Sequence, residues 1–327
     1  MVSPGAGGNR DGAHAALDVI ADVLGDRATR RAPLGARTTY RVGGRAALLV
    51  EARGEDDLVA VHGALVAAGS PVPFLVLGEG SNLLVADAGF EGLVLRLGPG
   101  FDEIEIGTSS VRAGGAAKLP VVARQTAAAG LHGLEWAVGV PGSVGGGVRM
   151  NAGGHGSDIA AVLSRARVFD LRAGTAFEGD PTRLSLGYRT SALRPGDVVV
   201  WAEFSLRPGD NVRAEAAVAD VVRWRRANQP GGSNAGSVFT NPDTDSAGRL
   251  VEAAGLKGFR MGTAQVSLKH ANFIQADLGG SADDVWRLVQ HLRSEVATRT
   301  GVTLVPEVRM VGFPGEVPTV QAESRAT

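Results

Sequence analysis

The feature that most constrains this chain is a glycine-dense run, Gly133-Leu134-Glu135-Trp136-Ala137-Val138-Gly139-Val140-Pro141-Gly142-Ser143-Val144-Gly145-Gly146-Gly147. It resumes two residues later as Met150-Asn151-Ala152-Gly153-Gly154-His155-Gly156. Glycine gives up more backbone freedom on folding than any other residue, so such density is costly. A chain accepts the cost where backbone turns with positive φ, or where N–H groups must approach a ligand closely. Successive N–H groups make a concave donor array that suits an anion. Leu134, Trp136, Val138, Val140 and Val144 are interleaved with the glycines, so the run belongs to a core and is no linker. The bland alternative is a glycine-rich bend in a β-rich domain.

The 327 residues exceed one ordinary core and suggest two or three domains. A hydrophobic share of 44% and a charged share of 20% describe a globular chain rather than a disordered one. The net charge of −1 offers no electrostatic footprint for nucleic acid or an anionic membrane. The absence of cysteine removes disulfides, thiolate metal sites and a cysteine nucleophile together. The first ten residues lack the apolar stretch of a signal peptide, and no run approaches the roughly 20 apolar residues that span a bilayer. The expectation is a cytoplasmic protein, monomeric, with no nucleic-acid partner and no membrane insertion.

Periodicity divides the chain into units. Ala16, Leu17, Ile20, Ala21 and Leu24 recur at helical spacing in a first segment, 1–33, with a flexible start. Residues 34–100 read as a small α/β unit: strand 46–51, helix 56–68, strand 74–77, then Gly78-Glu79-Gly80-Ser81-Asn82 leaving the strand end. Short β runs dominate 101–209, with one helix at 118–129. A third unit, 210–312, carries helices 212–228, 247–254 and 282–300, and residues 313–327 read as a disordered tail. The class is α+β.

Several chemistries fail on context. Gly78-Glu79-Gly80 follows a strand, as a dinucleotide fingerprint should, but the third glycine and the long helix are missing. No Walker lysine motif appears, and six histidines show no metal-ligand spacing, so no metal site is expected. Pro141-Gly142-Ser143-Val144-Gly145 superficially resembles the Gly-x-Ser-x-Gly surroundings of a nucleophile serine. It is read as a glycine loop with no helix after it, unlike a nucleophile elbow.

The blocks Thr38-Thr39-Tyr40-Arg41-Val42-Gly43-Gly44, Val76-Leu77-Gly78-Glu79-Gly80-Ser81-Asn82-Leu83, Gly139-Val140-Pro141-Gly142-Ser143-Val144-Gly145-Gly146 and Met150-Asn151-Ala152-Gly153 occur in one order. Gly187-Tyr188-Arg189-Thr190-Ser191, Asn234-Ala235-Gly236-Ser237-Val238-Phe239 and Pro306-Glu307-Val308-Arg309 complete them. Together they resemble the UDP-N-acetylenolpyruvoylglucosamine reductase (MurB) family over residues 34–312. The resemblance implies a two-part FAD-binding fold of the vanillyl-alcohol-oxidase-like (PCMH) type, residues 34–100 and 101–209. A C-terminal α/β substrate-binding domain, 210–312, would follow.

It also implies a reaction. NADPH passes hydride to FAD, N5 of the reduced flavin passes it to C3 of UDP-N-acetylglucosamine enolpyruvate, and C2 takes a proton, giving UDP-N-acetylmuramate for peptidoglycan. An enol ether is electron-rich, so donors held at its carboxylate must stabilise the enolate-like charge that develops. By resemblance Arg189 supplies that charge, Ser237 is the proton donor to C2, and Glu307 is the catalytic glutamate. Gly78, Glu79, Gly80, Ser81 and Asn82, with Gly139, Pro141, Gly142, Ser143, Gly145 and Gly146, would bring backbone N–H groups to the FAD pyrophosphate. Tyr40 joins the cofactor set, and Asn151, Ala152 and Gly153 would line the flavin edge. Tyr188, Asn241, His155, Gln229 and His270 are the substrate-binding candidates; Lys257 and Lys269 read as solvated charges.

Two departures stand out. Arg189 and Ser237 are closer in sequence than in members that fold an extra tyrosine-bearing loop over the substrate, so the chain resembles the second, loop-lacking type; Gln229-Pro230 replaces the lysine of some first-type members. His155 stands where the family usually has tyrosine. Two other classes remain open at this stage: an oxygen-using oxidase on the same flavin fold, and a flavin-binding protein without catalysis.

Overall fold

The computed structural model describes residues 8–243 and 245–315; the start 1–7 and the tail 316–327 lie outside them. Helix α1 (Gly8–Leu24) buries the expected stripe of Ala16, Leu17, Ile20, Ala21 and Leu24. It packs on α2 (Glu55–Ala68), which ends at Gly69 in a left-handed cap, φ +62°. Both lie on a four-stranded sheet with strand order Ala28–Pro33, Arg45–Ala52, Phe90–Leu97, Phe74–Leu77. The last three strands are parallel and strongly apolar, as a covered sheet requires. Loop 78–82 leaves the carboxyl end of Phe74–Leu77, the edge where open α/β sheets place ligands.

The second unit is a five-stranded antiparallel sheet, in the order Thr175–Gly179, Leu163–Asp170, Asp197–Ser205, Ser110–Gly114, Ile104–Ile106. Its core includes Val111, Leu119, Trp136, Val144, Val168 and Phe204. Helix α3 (Leu119–Ala128) packs beside a 3-10 turn at Glu135–Gly139. A short helix, α4 (Val144–Arg149), then follows Ser143 directly. That corrects the expectation of a glycine loop without a helix. Ser143 is its N-cap: it is 3% exposed, and its Oγ accepts the Gly146 N–H at 3.2 Å. The cap explains how three glycines enter a helix, and it leaves no exposed nucleophile.

Helix α5 (Asn211–Asn228) opens the third stretch of chain, yet its buried stripe of Ala214, Val218 and Val221 belongs to the second unit's core. The boundary expected at 209 therefore precedes a helix that packs backward. Beyond it come α6 (Ala247–Ala253), a three-stranded meander (Arg260–Met261, Ala264–Val266, Ile274–Ala276) and α7 (Ala282–Thr300). α7 buries Val285, Leu288, Val289, Leu292 and Val296 at helical spacing. Each such side chain contributes about 1.5–3 kcal/mol on burial.

The chain then returns to the first unit. Strand Arg309–Val311 pairs in parallel with Leu83–Val85, directly after the 78–82 loop. Phe313 is buried and stacks on Trp286, centroids 5.7 Å apart, so it is no part of the disordered tail expected over 313–327, of which 316–327 lie outside the described residues. No helix among the described residues is long and apolar enough to cross a membrane.

Candidate active site

The units enclose a cavity of about 660 Å³. Along one side run Gly78, Glu79, Gly80, Ser81 and Asn82; facing them are Gly139, Pro141, Gly142, Ser143 and Gly146. The two walls nearly touch. A Cβ on Gly78 would come within 2.6 Å of Ser143 Oγ, and one on Gly142 within 3.4 Å of Ser81 Oγ. A smaller adjoining cavity of about 60 Å³ reaches Gly145 and shares Gly78, Ser143 and Arg149.

The two loops differ in what their backbone offers. None of the N–H groups of Glu79, Gly80, Ser81 and Asn82 meets a backbone acceptor among the described residues. By contrast Gly142 N–H donates to Val140, Val144 to Ala117, Gly145 to Gly115, and Gly146 to Ser143 Oγ. The open N–H donors therefore lie mainly on 79–82, whereas in the second loop Gly142, Val144, Gly145 and Gly146 are engaged within the chain and, among the described residues, no bond engages the Ser143 N–H. An anionic, elongated ligand fits this cradle, and the pyrophosphate of FAD has the required charge and slenderness.

Arg189, Ser237 and Glu307 all line the same cavity. Arg189 Nε lies 2.9 Å from Glu307 Oε1, and both side chains are about four-fifths buried. Burial pushes the Glu307 carboxyl up from its ordinary value, against the opposing pull of the Arg189 charge and hydrogen bond. Glu307 N–H donates to Val238 O at 2.8 Å and Asn82 Nδ2 to Glu307 O at 3.1 Å. Those bonds fix Glu307 beside Ser237 on one flank and the 78–82 loop on the other. Among the described residues no hydrogen bond engages the Ser237 hydroxyl.

Arg189 sits in the left-handed region, φ +57°, where a non-glycine residue is uncommon. Its Nη2 donates to Gly153 O at 2.9 Å and its Nη1 to Asn151 O at 3.4 Å. Asn151 is 3% exposed, and its amide donates to Gly187 O (2.9 Å) and Asp158 (3.1 Å) while accepting the Ala160 N–H (2.9 Å). Its side chain thus holds the arginine's loop instead of lining the cavity; Ala152, Gly153 and His155 do line it.

Other expected residues fall elsewhere. Tyr40 is 1% exposed in the core with Leu84 and Phe239, because its block packs beneath the returning strand. Asn241 accepts the Ala247 N–H at the start of α6. His270 Nδ1 accepts the Asn272 N–H, and Tyr188 is 60% exposed outside the cavity. Lys257 pairs with Glu252, and Lys269 donates to Arg226 O. Gln229 lines the wall, its Oε1 accepting from Arg225 Nε at 2.8 Å.

Cavity residues missed in the sequence include Arg149, Trp224, Arg225 and Arg309. Burial and the nearby Arg309 charge hold the Arg149 pKa down to about 10. Arg225 carried a legible signal, since it continues the α5 stripe 214, 218, 221 with a charge at a core-facing position. Arg309 opens the returning strand two residues after Glu307, and both line the cavity.

Comparison with known proteins agrees with this architecture. Residues 46–179 match an FAD binding domain, and residues 228–311 match the UDP-N-acetylenolpyruvoylglucosamine reductase C-terminal domain. UDP-N-acetylenolpyruvoylglucosamine reductase 2 of Symbiobacterium thermophilum is 44% identical over 290 residues, 88% of this chain and 92% of its own. The reductase of Granulibacter bethesdensis is 39% identical, covering 93% and 97%. The crystal structure of the Thermus caldophilus reductase superposes with a TM-score of 0.75 at 36% identity, over 87% of this chain and 99% of that one. The fold is accordingly α+β, an FAD-binding part joined to a reductase C-terminal domain, and this chain belongs to the UDP-N-acetylenolpyruvoylglucosamine reductase family.

Proposed function

We propose that this chain is an NADPH-dependent FAD oxidoreductase that reduces UDP-N-acetylglucosamine enolpyruvate to UDP-N-acetylmuramate. Residues 34–100 and 101–209 would hold the FAD, and residues 210–312 would carry the substrate. The observation that carries the reading is the meeting of Arg189, Glu307 and Ser237 on the wall of one glycine-lined cavity. When bound, FAD supplies hydride transfer between NADPH and the enolpyruvyl group.

Arg189 binds and polarises the substrate carboxylate. A guanidinium has five N–H donors, and three are engaged here, by Glu307, Gly153 and Asn151. Two remain, one on each Nη, the number a carboxylate accepts in a fork. Held there, the fixed charge lowers the energy of the enolate-like state as charge moves onto that carboxylate. Glu307, favoured in its protonated form by burial, donates a hydrogen bond to the same group and orients Arg189. Ser237, placed beside it across the Val238 backbone bond, delivers the proton to C2. A cytoplasmic location would keep the enzyme alongside its nicotinamide reductant.

The test is anaerobic. NADPH should bleach the yellow holoenzyme, and the enolpyruvyl sugar nucleotide should restore its colour. Reoxidation by oxygen with peroxide release, and none by the sugar nucleotide, would overturn the assignment in favour of an oxidase.

A further inference from the structure

We propose that Asn272 is a positioning residue for the reaction: its buried side chain fixes the segment that carries Ser237 and so directs the serine hydroxyl at the substrate. The inference rests on the proton-donor role proposed above for Ser237.

Ser237 sits in an interrupted pairing between two stretches of the third unit. At one end Ser233 bridges Ala276 in antiparallel fashion, the Ala276 N–H donating to Ser233 O at 2.9 Å. At the other end the Val238 N–H donates to Asn272 O at 2.8 Å. Between those anchors lie four residues on the serine side, 234–237, and three on the other, 273–275. The extra residue bows the chain outward, as a β-bulge does when it re-aims a side chain. Gly236 makes the bend at φ +77°, its N–H donating to Asn234 Oδ1 at 3.0 Å, and Ser237 comes to line the cavity.

Past the bow, a side chain takes over from the backbone. Asn272 Oδ1 accepts the Phe239 N–H at 3.0 Å, and Asn272 Nδ2 donates to Phe239 O at 2.8 Å. The amide thus stands in for a peptide group of a neighbouring strand. On the opposite edge the Glu307 N–H donates to Val238 O, and Phe239 bridges Pro306. Residues 238 and 239 are therefore set between Asn272 and the segment of Glu307, directly after the serine. Asn272 is 4% exposed and Phe239 1%, so water has no ready access to replace the amide. His270 Nδ1 accepts the Asn272 N–H at 3.2 Å and steadies the residue from behind. Asn272 itself does not line the cavity, so any effect on the chemistry must pass through a residue that does.

Rapid-reaction kinetics on the FAD-loaded enzyme test the assignment. Asn272→Ala should leave flavin reduction by NADPH intact and slow reoxidation by the enolpyruvyl nucleotide by roughly 10- to 100-fold, the cost of displacing a reacting group by about 1 Å. The loss should fall on kcat, with KM little changed. Non-additivity separates positioning from a general loss of structure. In a Ser237→Ala background, Asn272→Ala should slow reoxidation no further. Retained flavin absorbance checks folding, and if Asn272→Ala loses its flavin, Asn272→Gln carries the same cycle, with both amide groups present but one methylene displaced. Losses that multiply would overturn the proposal while leaving Ser237 as the proton donor, as would wild-type reoxidation in Asn272→Ala beside a slow Ser237→Ala. Wild-type reoxidation in Ser237→Ala would remove the proton donor, and the positioning role with it.

Discussion

Arg189 Nε and Glu307 Oε1 stand 2.9 Å apart, joining a loop of the second unit to the segment that leads into the returning strand. The pair closes the cavity only when all three units are assembled. Its two members have unequal prospects under substitution, because guanidinium geometry and carboxyl ionisation do different work.

Arg189→Lys keeps the charge and loses the planar fork. An ammonium cannot satisfy Glu307, the Gly153 carbonyl and a substrate carboxylate in the same directions. Turnover should fall by at least 100-fold while flavin reduction by NADPH persists, about 3 kcal/mol of lost transition-state stabilisation. Steady-state kinetics showing only a raised KM would reduce Arg189 to a binding residue.

Glu307 makes a prediction about pH. Its folded pKa lies above its unfolded one, with burial as the leading cause, so the folded state binds more protons between the two values. The stability tied to this group is full below the unfolded carboxylate range and falls as pH rises, until the folded pKa is passed. Glu307→Gln removes that dependence, so the variant's Tm should gain on wild type as pH rises from 4 to 7. In turnover, Gln should outperform Asp if Glu307 acts as a neutral donor at fixed geometry. An Asp variant faster than Gln, with the pH profile retained, would assign Glu307 a proton-transfer role.

Much of this arrangement was legible in the chain. The glycine run announced a close approach, and the ordered motifs implied Arg189, Ser237 and Glu307 before any distance was known. What escaped was whatever depends on side-chain direction. Tyr40 and Asn151 lie inside recognised motifs, yet they turn into the core, because the motif also builds the scaffold. Tyr188 and Asn241 flank the right loops but do not line the cavity, although the Tyr188 ring lies 5.3 Å from the Arg189 guanidinium. Trp224 carried no local mark at all, since only the hairpin at 153–158 gives it a partner across the cavity.

Ser237→Ala should split the two halves of the reaction. Flavin reduction by NADPH should be nearly unchanged, while reoxidation by the enolpyruvyl nucleotide slows by roughly 100- to 10,000-fold, the range of general acid catalysis. The Ser237 hydroxyl has no structural bond to lose, so a folding defect is not expected. Stopped-flow traces slowed equally in both halves would remove the proton-donor role.

Gly80 tests the cradle. Its φ of +62° is poorly tolerated by other residues, and a Cβ would lie 2.5 Å from Arg37 O and 2.7 Å from Thr38 Cα. Neither backbone neighbour can retreat, because Gly80 O also accepts the Thr39 N–H. Gly80→Ala should displace the four open N–H groups and weaken FAD retention by at least 10-fold, read by flavin release on dialysis. Full FAD content would show that the 79–82 donors are not what holds the cofactor.

Asn151 governs whether Arg189 is held at all. Its buried amide serves three groups at once, Gly187 O, Asp158 and Ala160 N–H, and its own carbonyl accepts from Arg189. Asn151→Ala leaves those partners unsatisfied in a closed environment, a cost of about 1–3 kcal/mol. Asn151→Asp is the sharper variant. It keeps the size and the acceptor for Ala160, but it sets a carboxylate against Asp158 and the Gly187 carbonyl. The loop carrying Arg189 should then loosen, so that kcat falls far more than the rate of flavin reduction by NADPH. Burial and the facing Asp158 both favour protonation of the introduced carboxyl, and the protonated form can donate again. Activity should therefore recover as pH drops toward 5, a recovery absent in the alanine variant. Equal losses at every pH in both variants would show that Asn151 stabilises the fold without positioning Arg189.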